Sequence, residues 1–256
     1  METFSIVARQ DEKSFQLKDK VKKLLEGKYI YNEKDPDYCF AIGGDGTFLY
    51  AAHQYLEQLD KIKFIGIHTG TLGFFSDYKE DELEECMDDF MHKKGSIQEY
   101  GLLKGVTDTN KNFYAINEIR VEALARAQQI EVYINDEHFE NFRGNGIMVC
   151  TQLGSTAYNR SIGGAIIDHP VECIEMMEIA GINHQLYPTC NSPIIFRKET
   201  TIKLKNKHYE NVSLLYDQFE EKLTVEKEVT LSMSDKTLRI LRFKDIPYLK
   251  RIKTLF

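Results

Sequence analysis

The stretch Tyr38-Cys39-Phe40-Ala41-Ile42-Gly43-Gly44-Asp45-Gly46-Thr47 decides the fold. Its first five residues are continuously apolar, which is typical of a strand buried on both faces of a parallel sheet. The glycines end this strand, and residues 47–59 have the apolar spacing of a helix. We therefore predict a strand, a tight glycine loop and a helix start in direct succession.

The loop of this stretch has a specific chemistry. Several backbone N–H groups and a helix N-terminus would face one small volume, an arrangement that favours anionic groups. Asp45 is a carboxylate inside this loop, and it would repel phosphates unless it takes a proton or helps to hold a metal ion. Read only as Gly-Asp-Gly, the stretch is equally a tight turn. The third glycine of the dinucleotide fingerprint is missing, and no Walker A sequence occurs in the chain, so both of those nucleotide motifs are excluded.

Strand and helix patterns alternate through the first 96 residues. A helix is predicted to begin at Asp11-Glu12 and to end at Gly27, a residue that commonly terminates helices. Further patterns predict strands over 4–8 and 62–67 and an acidic helix over 80–91. This alternation indicates an α/β lobe at 1–96.

The pattern changes after residue 96 to strands joined by turns. The predicted strands include 113–116, 130–134, 138–142 and 147–150. This spacing indicates an antiparallel β lobe at 97–242. A short helix is predicted over 172–183, where Ile174, Met177 and Ile179 would form one apolar face.

Composition excludes several classes of protein. The 256 residues carry 40 acidic and 33 basic side chains, a net charge of −7, and no dense basic tract, so we expect no nucleic-acid partner. No apolar run approaches the ~20 residues that span a bilayer, and the first residues lack a signal-peptide core. We therefore expect a cytoplasmic protein without a membrane partner. The five cysteines are odd in number and scattered, which predicts reduced thiols and no bound metal at cysteine ligands.

Three separated motifs together resemble one enzyme family. Gly43 to Thr47, Asn117-Glu118 and Gly154-Ser155-Thr156-Ala157-Tyr158 resemble the NAD kinases, which are ATP:NAD 2'-phosphotransferases. The segment 66–75 is similar to the second loop of that family. The resemblance covers almost the whole chain, and its spacing is most similar to the compact enzymes of low-GC Gram-positive bacteria. It implies an α/β plus all-β fold, with an N-terminal α/β nucleotide-binding lobe, a C-terminal β-sandwich-like NAD-binding lobe, and residues 243–256 returning to the first lobe.

The resemblance also implies a reaction. The γ-phosphoryl group of ATP would pass to the adenosine ribose 2'-hydroxyl of NAD to give NADP, with Asp45 as the general base. Mg²⁺ would be carried mainly by ATP, without a metal site made by the protein alone. NAD and ATP are the expected partners, with polyphosphate as an alternative donor. A homo-oligomer, specifically a tetramer, is expected.

The remaining site residues follow from the same resemblance. Asn117-Glu118 taken alone is more often an exposed polar pair, although an amide beside a carboxylate can bind adenine edges and ribose hydroxyls together. The segment 154–161 taken alone is equally a helix N-cap; the resemblance makes Tyr158 a flat surface for a ring. The implied substrate-binding residues are Gly43, Gly44, Gly46, Thr47, Phe74, Asn117, Glu118, Arg143, Asn145, Thr156, Ala157, Tyr158, Asn159, Arg160, Ser161, Ala180 and Gln218.

The chain departs from the family pattern at several positions, which include Gln152 and Leu153, where the family usually has proline and a small residue. Asp217-Gln218 corresponds to an acidic-glycine-glutamine motif without its glycine. Asn145 stands where the family usually has an aspartate. A carboxylate there would attract the cationic nicotinamide of NAD, so we expect weaker discrimination between NAD and NADH in this chain. A simple turn role for Asn145 between two glycines is the alternative.

Other functions share part of this pattern. Lipid and sugar kinases have related Gly-Gly-Asp-Gly loops, but they leave Asn117-Glu118 and residues 154–158 unexplained. A non-catalytic NAD sensor would not need the carboxylate of Asp45.

Overall fold

The structure of the chain is a computed structural model that describes residues 1–70, 73–183, 185, 188–206 and 211–255. The chain divides into two compact units. The first unit is Met1–Tyr100 with Lys236–Phe256, and the second is Gly101–Asp235. Two strands, Ser96–Thr107 and Glu228–Arg242, run from one unit into the other. The boundaries predicted from the sequence lie after residue 96, the first residue of the former strand, and after residue 242, the last residue of the latter.

A parallel sheet with flanking helices forms the first unit. Its elements are β1 (Thr3–Ala8), α1 (Glu12–Leu25), β2 (Ile30–Tyr31), β3 (Tyr38–Gly43), α2 (Asp45–Gln54), β4 (Lys63–His68), β5 (Ser76–Lys79), α3 (Leu83–Met91) and the start of β6 (Ser96–Thr107). The strand order is β2-β1-β3-β4, and β5 runs parallel to β4. Every residue of β3 is buried, as the apolar run predicts for a central parallel strand.

Local signals place the helices of this unit. Asp11 caps α1 by accepting the Ser14 N–H at 2.9 Å, and Gly27 lies just beyond the helix with φ +74°. The helix predicted over 47–59 begins earlier, at Asp45, and ends at Gln54, with a separate 3₁₀ turn at Leu56–Gln58. The acidic helix begins with a 3₁₀ turn at Glu80–Glu82 before α3.

Antiparallel strands form the second unit. After the end of β6 its elements are β7 (Asn112–Ala115), β8 (Glu118–Glu122), β9 (Gln128–Ile134), β10 (Glu137–Gly144), β11 (Gly146–Thr151), α4 (Tyr158–Ser161), β12 (Cys173–Ile179), β13 (Ile194–Arg197), β14 (Ile202–Lys205), β15 (Val212–Tyr216), β16 (Phe219–Leu223) and the first part of β17 (Glu228–Arg242). One sheet has the order β13-β12-β11-β8-β15-β16, while β10, β9, β14 and β17 pair in a second. An apolar cluster draws residues such as Ile119, Val149, Val132 and Leu204 from both sheets, which confirms the sandwich-like lobe.

The helix predicted over 172–183 is wrong. These residues contain β12, which pairs with β11 on one side and β13 on the other. Six of its seven residues are buried, among them Glu175, so both faces of the strand are covered. A short apolar run of this kind has no clear period, and the spacing of Ile174, Met177 and Ile179 fits a helix only by coincidence.

The end of the chain belongs to the first unit. The second part of β17 runs parallel to β4, with Arg239 opposite Lys63. It is followed by α5 (Tyr248–Ile252) and a 3₁₀ turn at Lys253–Leu255. The chain therefore returns to the α/β lobe, as the resemblance implied. None of the helices in the described part of the chain is long and apolar enough to cross a membrane.

Candidate active site

The carboxylate of Asp45 is held by a neighbouring loop. Asp45 is the first residue of α2 and directly follows the strand β3 and Gly44. Its Oδ2 accepts the backbone N–H of Phe74 at 3.0 Å, and its Oδ1 accepts that of Phe75 at 3.3 Å. The residue is nevertheless partly exposed. An oriented carboxylate that stays accessible is what a general base requires.

Two glycines allow the close approach of these loops. A Cβ at Gly73 would lie 2.2 Å from Asp45 Oδ1, and a Cβ at Gly43 would lie 2.3 Å from Thr47 Oγ1. No larger residue fits at either position without moving Asp45 or Thr47. Gly44 and Gly46 are partly or fully exposed. The segment from Gly43 to Thr47 therefore forms one tight loop, as predicted, and part of its backbone is accessible to a ligand.

Phe74 lies near the end of the predicted segment 66–75. Its ring is buried and meets the ring of Tyr248 edge to face at 6.3 Å, and its carbonyl accepts a bond from Arg242. Phe75 stacks on Phe48 with centroids 4.8 Å apart. Thr71 and Leu72, which belong to the predicted segment 66–75, lie outside the described residues.

Asn117 and Glu118 are a buried pair with unpaired acceptors. Asn117 immediately precedes β8 and Glu118 is its first residue; they are 9% and 5% exposed, so the interpretation as an exposed polar pair is wrong. Within the described residues, neither Asn117 Oδ1 nor Glu118 Oε2 has a hydrogen-bond partner. Leaving a buried acceptor unpaired costs about 1–3 kcal/mol. Two adjacent acceptors of this kind point to a polar ligand that pairs with them.

The charge of Glu118 depends on its surroundings. Burial and the nearby Asp217 raise the pKa of Glu118 from its ordinary value to about 7, and Arg120 opposes this rise. Near neutral pH the group is therefore divided between its protonated and ionised forms.

Three motif segments meet around Asn117. Asp217 accepts the backbone N–H groups of Ile116 and Asn117 at 2.9 and 2.7 Å, and its own N–H donates to the Glu118 carbonyl at 3.1 Å. Gly154 approaches so closely that a Cβ there would lie 2.2 Å from the Asn117 carbonyl oxygen. Asp217 has φ +49°, a conformation that glycine usually takes, and Gln218 next to it is exposed.

The segment around α4 combines exposed and anchored residues. Arg120 places its guanidinium 4.0 Å from the ring centroid of Tyr158, so one face of this ring is already covered. Thr156 donates its hydroxyl to the Leu153 carbonyl at 3.4 Å. Partial or full exposure is common to Thr156, Ala157, Tyr158, Arg160 and Ser161.

Asn159 differs from its neighbours because it is buried. Its Nδ2 donates to Glu175 Oε2 at 2.8 Å and to the Ala165 carbonyl at 3.0 Å, while Glu175 Oε1 accepts the Ala165 N–H at 2.7 Å. Burial raises the pKa of Glu175. The amide nitrogen of Asn159 therefore supports the backbone after α4.

Arg143, Asn145 and Ala180 form a second group of predicted residues in this unit. The Asn145 N–H donates to the Ile179 carbonyl at 2.9 Å, and its Nδ2 donates to the Ala123 carbonyl at 3.1 Å. Arg143 and Ala180 are exposed. The Asn145 side chain thus has a structural bond that an aspartate could not make in its ionised form.

Sequence reasoning missed Arg120 and Glu175. Arg120 follows Glu118 by two residues on β8, and side chains two apart share a face of a strand, so this alternation was the available signal. Glu175 gave no signal, because its partners lie 10 and 16 residues away across a loop.

The residues at the glycine loop fit a divalent cation that arrives with a nucleotide. No group of three His, Cys, Asp or Glu side chains suited to a metal ion occurs among the residues described. Asp45 is the carboxylate of the loop. One or two carboxylates completed by substrate phosphates are the usual ligands of Mg²⁺.

Comparisons with known proteins cover both units. The family described as the ATP-NAD kinase N-terminal domain matches residues 4–95, and the ATP-NAD kinase C-terminal domain matches residues 116–243. NAD kinase 1 of Bacillus cereus is 34% identical over an alignment of 259 residues, and the match covers 99% of this chain and 98% of the relative. NAD kinase 1 of Listeria monocytogenes is 35% identical over 261 residues, with 99% and 98% covered.

A solved structure shares the fold. The crystal structure of yeast NADH kinase complexed with NADH has a TM-score of 0.87 and 16% sequence identity, and the match covers 100% of this chain and 87% of that one. Because both domains match in sequence and the relatives match over nearly the full length, the chain belongs to the NAD kinase family of phosphotransferases.

Proposed function

We propose that this NAD kinase transfers the γ-phosphoryl group of ATP to the adenosine ribose 2'-hydroxyl of NAD, with Asp45 as the general base. The observation that carries the proposal is the carboxylate of Asp45, which two backbone N–H groups orient while it stays partly exposed beside the glycine loop. A residue that only shaped a turn would not need this orientation.

The chemical step is a displacement at phosphorus. The ribose 2'-oxygen bonds to the γ-phosphorus, the bond to the β,γ-bridging oxygen breaks, and ADP leaves. Asp45 receives the hydroxyl proton. Positioning and electrostatic stabilisation supply most of the rate of phosphoryl transfer, and a general base contributes about 10²–10⁴-fold.

The glycine loop and a metal ion would both stabilise the negative charge of the phosphates. Gly43, Gly44 and Gly46 let the backbone approach the phosphate oxygens. Mg²⁺ bound mainly by ATP would offset the phosphate charge, which leaves the carboxylate of Asp45 available as the base.

NAD is bound mainly through its adenosine half. The unpaired acceptors Asn117 Oδ1 and Glu118 Oε2 receive hydrogen bonds from adenine and ribose donors. The free part of the Tyr158 ring packs against a base. Thr156 and Ser161 supply hydroxyl groups, and Phe74 borders the adenosine. Asp217 and Asn159 hold the backbone of these segments.

The alternative functions explain less. A lipid or sugar kinase leaves the buried acceptors of Asn117 and Glu118 without a purpose, and the family match does not favour it. A non-catalytic NAD sensor does not explain why the carboxylate of Asp45 is oriented by two backbone N–H groups.

We further infer a homo-oligomer, a tetramer by family resemblance, in the cytoplasm. The exposure of Arg143, Ala180 and Gln218 supports a role for them in a site completed by a second copy. The five free cysteines, four of them buried, are consistent with a reducing compartment. Sedimentation with simultaneous activity measurement tests the oligomer, because a fully active monomer would contradict it.

One assay tests the reaction directly. Purified protein is incubated with NAD, ATP and Mg²⁺, and NADP is detected with an NADP-specific dehydrogenase. We expect NADP that depends on both ATP and metal. The absence of NADP with any divalent metal, and with polyphosphate as the donor, would refute the proposal.

A further inference from the structure

A buried ion cluster lies behind the loop that orients Asp45. Asp77 at 5%, Arg242 at 5% and Arg251 at 6% exposed are all inside the first unit. Arg251 Nη2 donates to Asp77 Oδ1 at 2.6 Å, and Arg242 Nη1 donates to the same oxygen at 3.1 Å. Two guanidinium groups share one carboxylate, so the cluster has a formal excess of one positive charge. A buried charge of this kind is costly unless hydrogen bonds and opposite charges compensate its desolvation.

The two arginines also bind the carbonyl groups of the loop. Arg251 Nη1 donates to the carbonyls of Gly73 at 3.0 Å and Ser76 at 2.6 Å. Arg242 Nη2 donates to the carbonyl of Phe74 at 2.9 Å. The guanidinium groups therefore fix three carbonyls of a four-residue segment.

The other side of the same segment faces Asp45. The N–H groups of Phe74 and Phe75 donate to its two carboxylate oxygens. The segment is thus held on its carbonyl side by arginines and presents its N–H side to the carboxylate. A displacement of the segment would therefore alter both of these hydrogen bonds, and the contact is so close that a Cβ at Gly73 would overlap Asp45.

Electrostatics connects the cluster to Asp45 as well. Burial and the neighbouring Arg242 lower the pKa of Arg251, while Asp77 and Asp45 both act in the opposite direction. The Asp45 carboxylate is therefore close enough to be attracted by the excess positive charge of the cluster.

We infer that Arg251, with Arg242 and Asp77, is a positioning residue for Asp45. Through these side chains, the C-terminal segment of the first unit fixes the loop that orients the general base. This rests on the proposed function of Asp45. Arg251 acts through the loop and contacts no reacting atom. Its loss should therefore lower turnover far more than NAD affinity, because a displacement of about 1 Å in a reacting group costs up to about 10²-fold in rate.

Arg251→Lys tests the inference in the full-length enzyme. Lysine keeps the charge, but its single ammonium cannot reproduce the planar fork that reaches two carbonyls and Asp77. We expect kcat to fall about ten- to a hundredfold and the Kd for NAD, from calorimetry, to stay within about threefold. Lys250→Ala, at the exposed neighbouring residue of α5, is the control and should leave both values unchanged.

A double variant separates positioning from general structural damage. If Arg251 acts through Asp45, then Asp45→Asn combined with Arg251→Lys should be about as slow as Asp45→Asn alone. The inference would be overturned if the two losses of kcat multiply in the double variant, or if Arg251→Lys keeps the wild-type kcat. Either result leaves the proposed function intact as long as the wild type forms NADP. If Arg251→Lys does not fold, Arg242→Lys, which loses the Phe74 carbonyl bond, is measured against the same two expectations.

Discussion

Asp217 and Asn117 are joined by a 2.7 Å hydrogen bond across 100 residues of sequence, from the Asn117 N–H to Asp217 Oδ1. The other carboxylate oxygen accepts the N–H of Ile116. The turn between β15 and β16 therefore holds the backbone that presents Asn117 and Glu118. The missing glycine of the family motif has not removed the turn, because Asp217 itself adopts the left-handed conformation.

Asp217→Asn should weaken NAD binding without touching the ligand. An asparagine tolerates the positive φ, but it has one acceptor oxygen, and its NH₂ group would face an N–H donor. We expect the Kd for NAD to rise about three- to tenfold, equivalent to one hydrogen bond of about 0.7–1.4 kcal/mol. Calorimetry measures this, with the exposed Asp235→Asn as the control. Equal affinities in the two variants would contradict a positioning role.

Asp45→Asn should abolish most turnover and leave NAD bound. Loss of a general base costs about 10²–10⁴ in rate, or about 3–5 kcal/mol of barrier. The amide still accepts one of the two loop N–H groups, so NAD affinity should change by only a modest factor. The measurements are kcat by coupled NADP detection and Kd by calorimetry, with exposed Asp60→Asn as the control. Near-normal kcat would reduce Asp45 to a turn residue.

Asn117→Ala and Glu118→Ala should each raise the Kd for NAD. Each change removes a buried acceptor and leaves a ligand donor unpaired, at a cost of about 1–3 kcal/mol, or about 5- to 150-fold. Asn112→Ala, on the exposed part of β7, controls for expression and handling. If calorimetry finds unchanged affinity in both variants, the pair does not bind NAD and its orphan oxygens need another explanation.

The glycine loop was predictable from sequence, whereas the cluster behind it was not. Residues 38–47 carry a local signal, because an apolar run, two glycines and a helix start follow each other directly. Asp77 lies 165 and 174 residues from its two arginines, and no local period connects such partners. The helix prediction for residues 172–183 was wrong for a different reason, because a strand that is buried on both faces does not show the alternation of apolar and polar residues that identifies strands. The burial of Asn117 and Glu118 was left open for the same lack of a local signal, since two polar residues do not reveal the sheet that covers them.

Stability should fall as pH rises through the titration range of Glu118. Burial raises the pKa of this group in the folded protein from 4.5 to about 7, so between these values the unfolded chain is ionised and the folded chain is protonated. The folded state then binds more protons, and ΔG of unfolding falls by up to about 1.4 kcal/mol per pH unit. The contribution is fully present below pH 4.5 and lost above about pH 7.

Glu118→Gln should remove this dependence. The amide stays neutral at every pH, so urea unfolding at pH 5 and pH 7.5 should show a smaller loss of stability in the variant than in the wild type. Glu137→Gln, an exposed residue of β10, should behave as the wild type. Parallel curves for wild type and Glu118→Gln would show that the Glu118 carboxyl is not buried in its neutral form.

Asn145→Asp is the sharpest test of nucleotide selectivity. An aspartate near the cationic nicotinamide would favour NAD over NADH by about 1–4 kcal/mol at ~4 Å, so we expect the ratio of kcat/KM for NAD and NADH to rise in the variant. The structure adds a cost, because the Asn145 Nδ2 that donates to the Ala123 carbonyl is replaced by an oxygen that repels it. We therefore also expect a lower melting temperature, equivalent to about 1–3 kcal/mol. Kinetics with both nucleotides and thermal unfolding of both proteins separate the two effects. A lower melting temperature with an unchanged ratio would assign Asn145 to the structure of the turn alone.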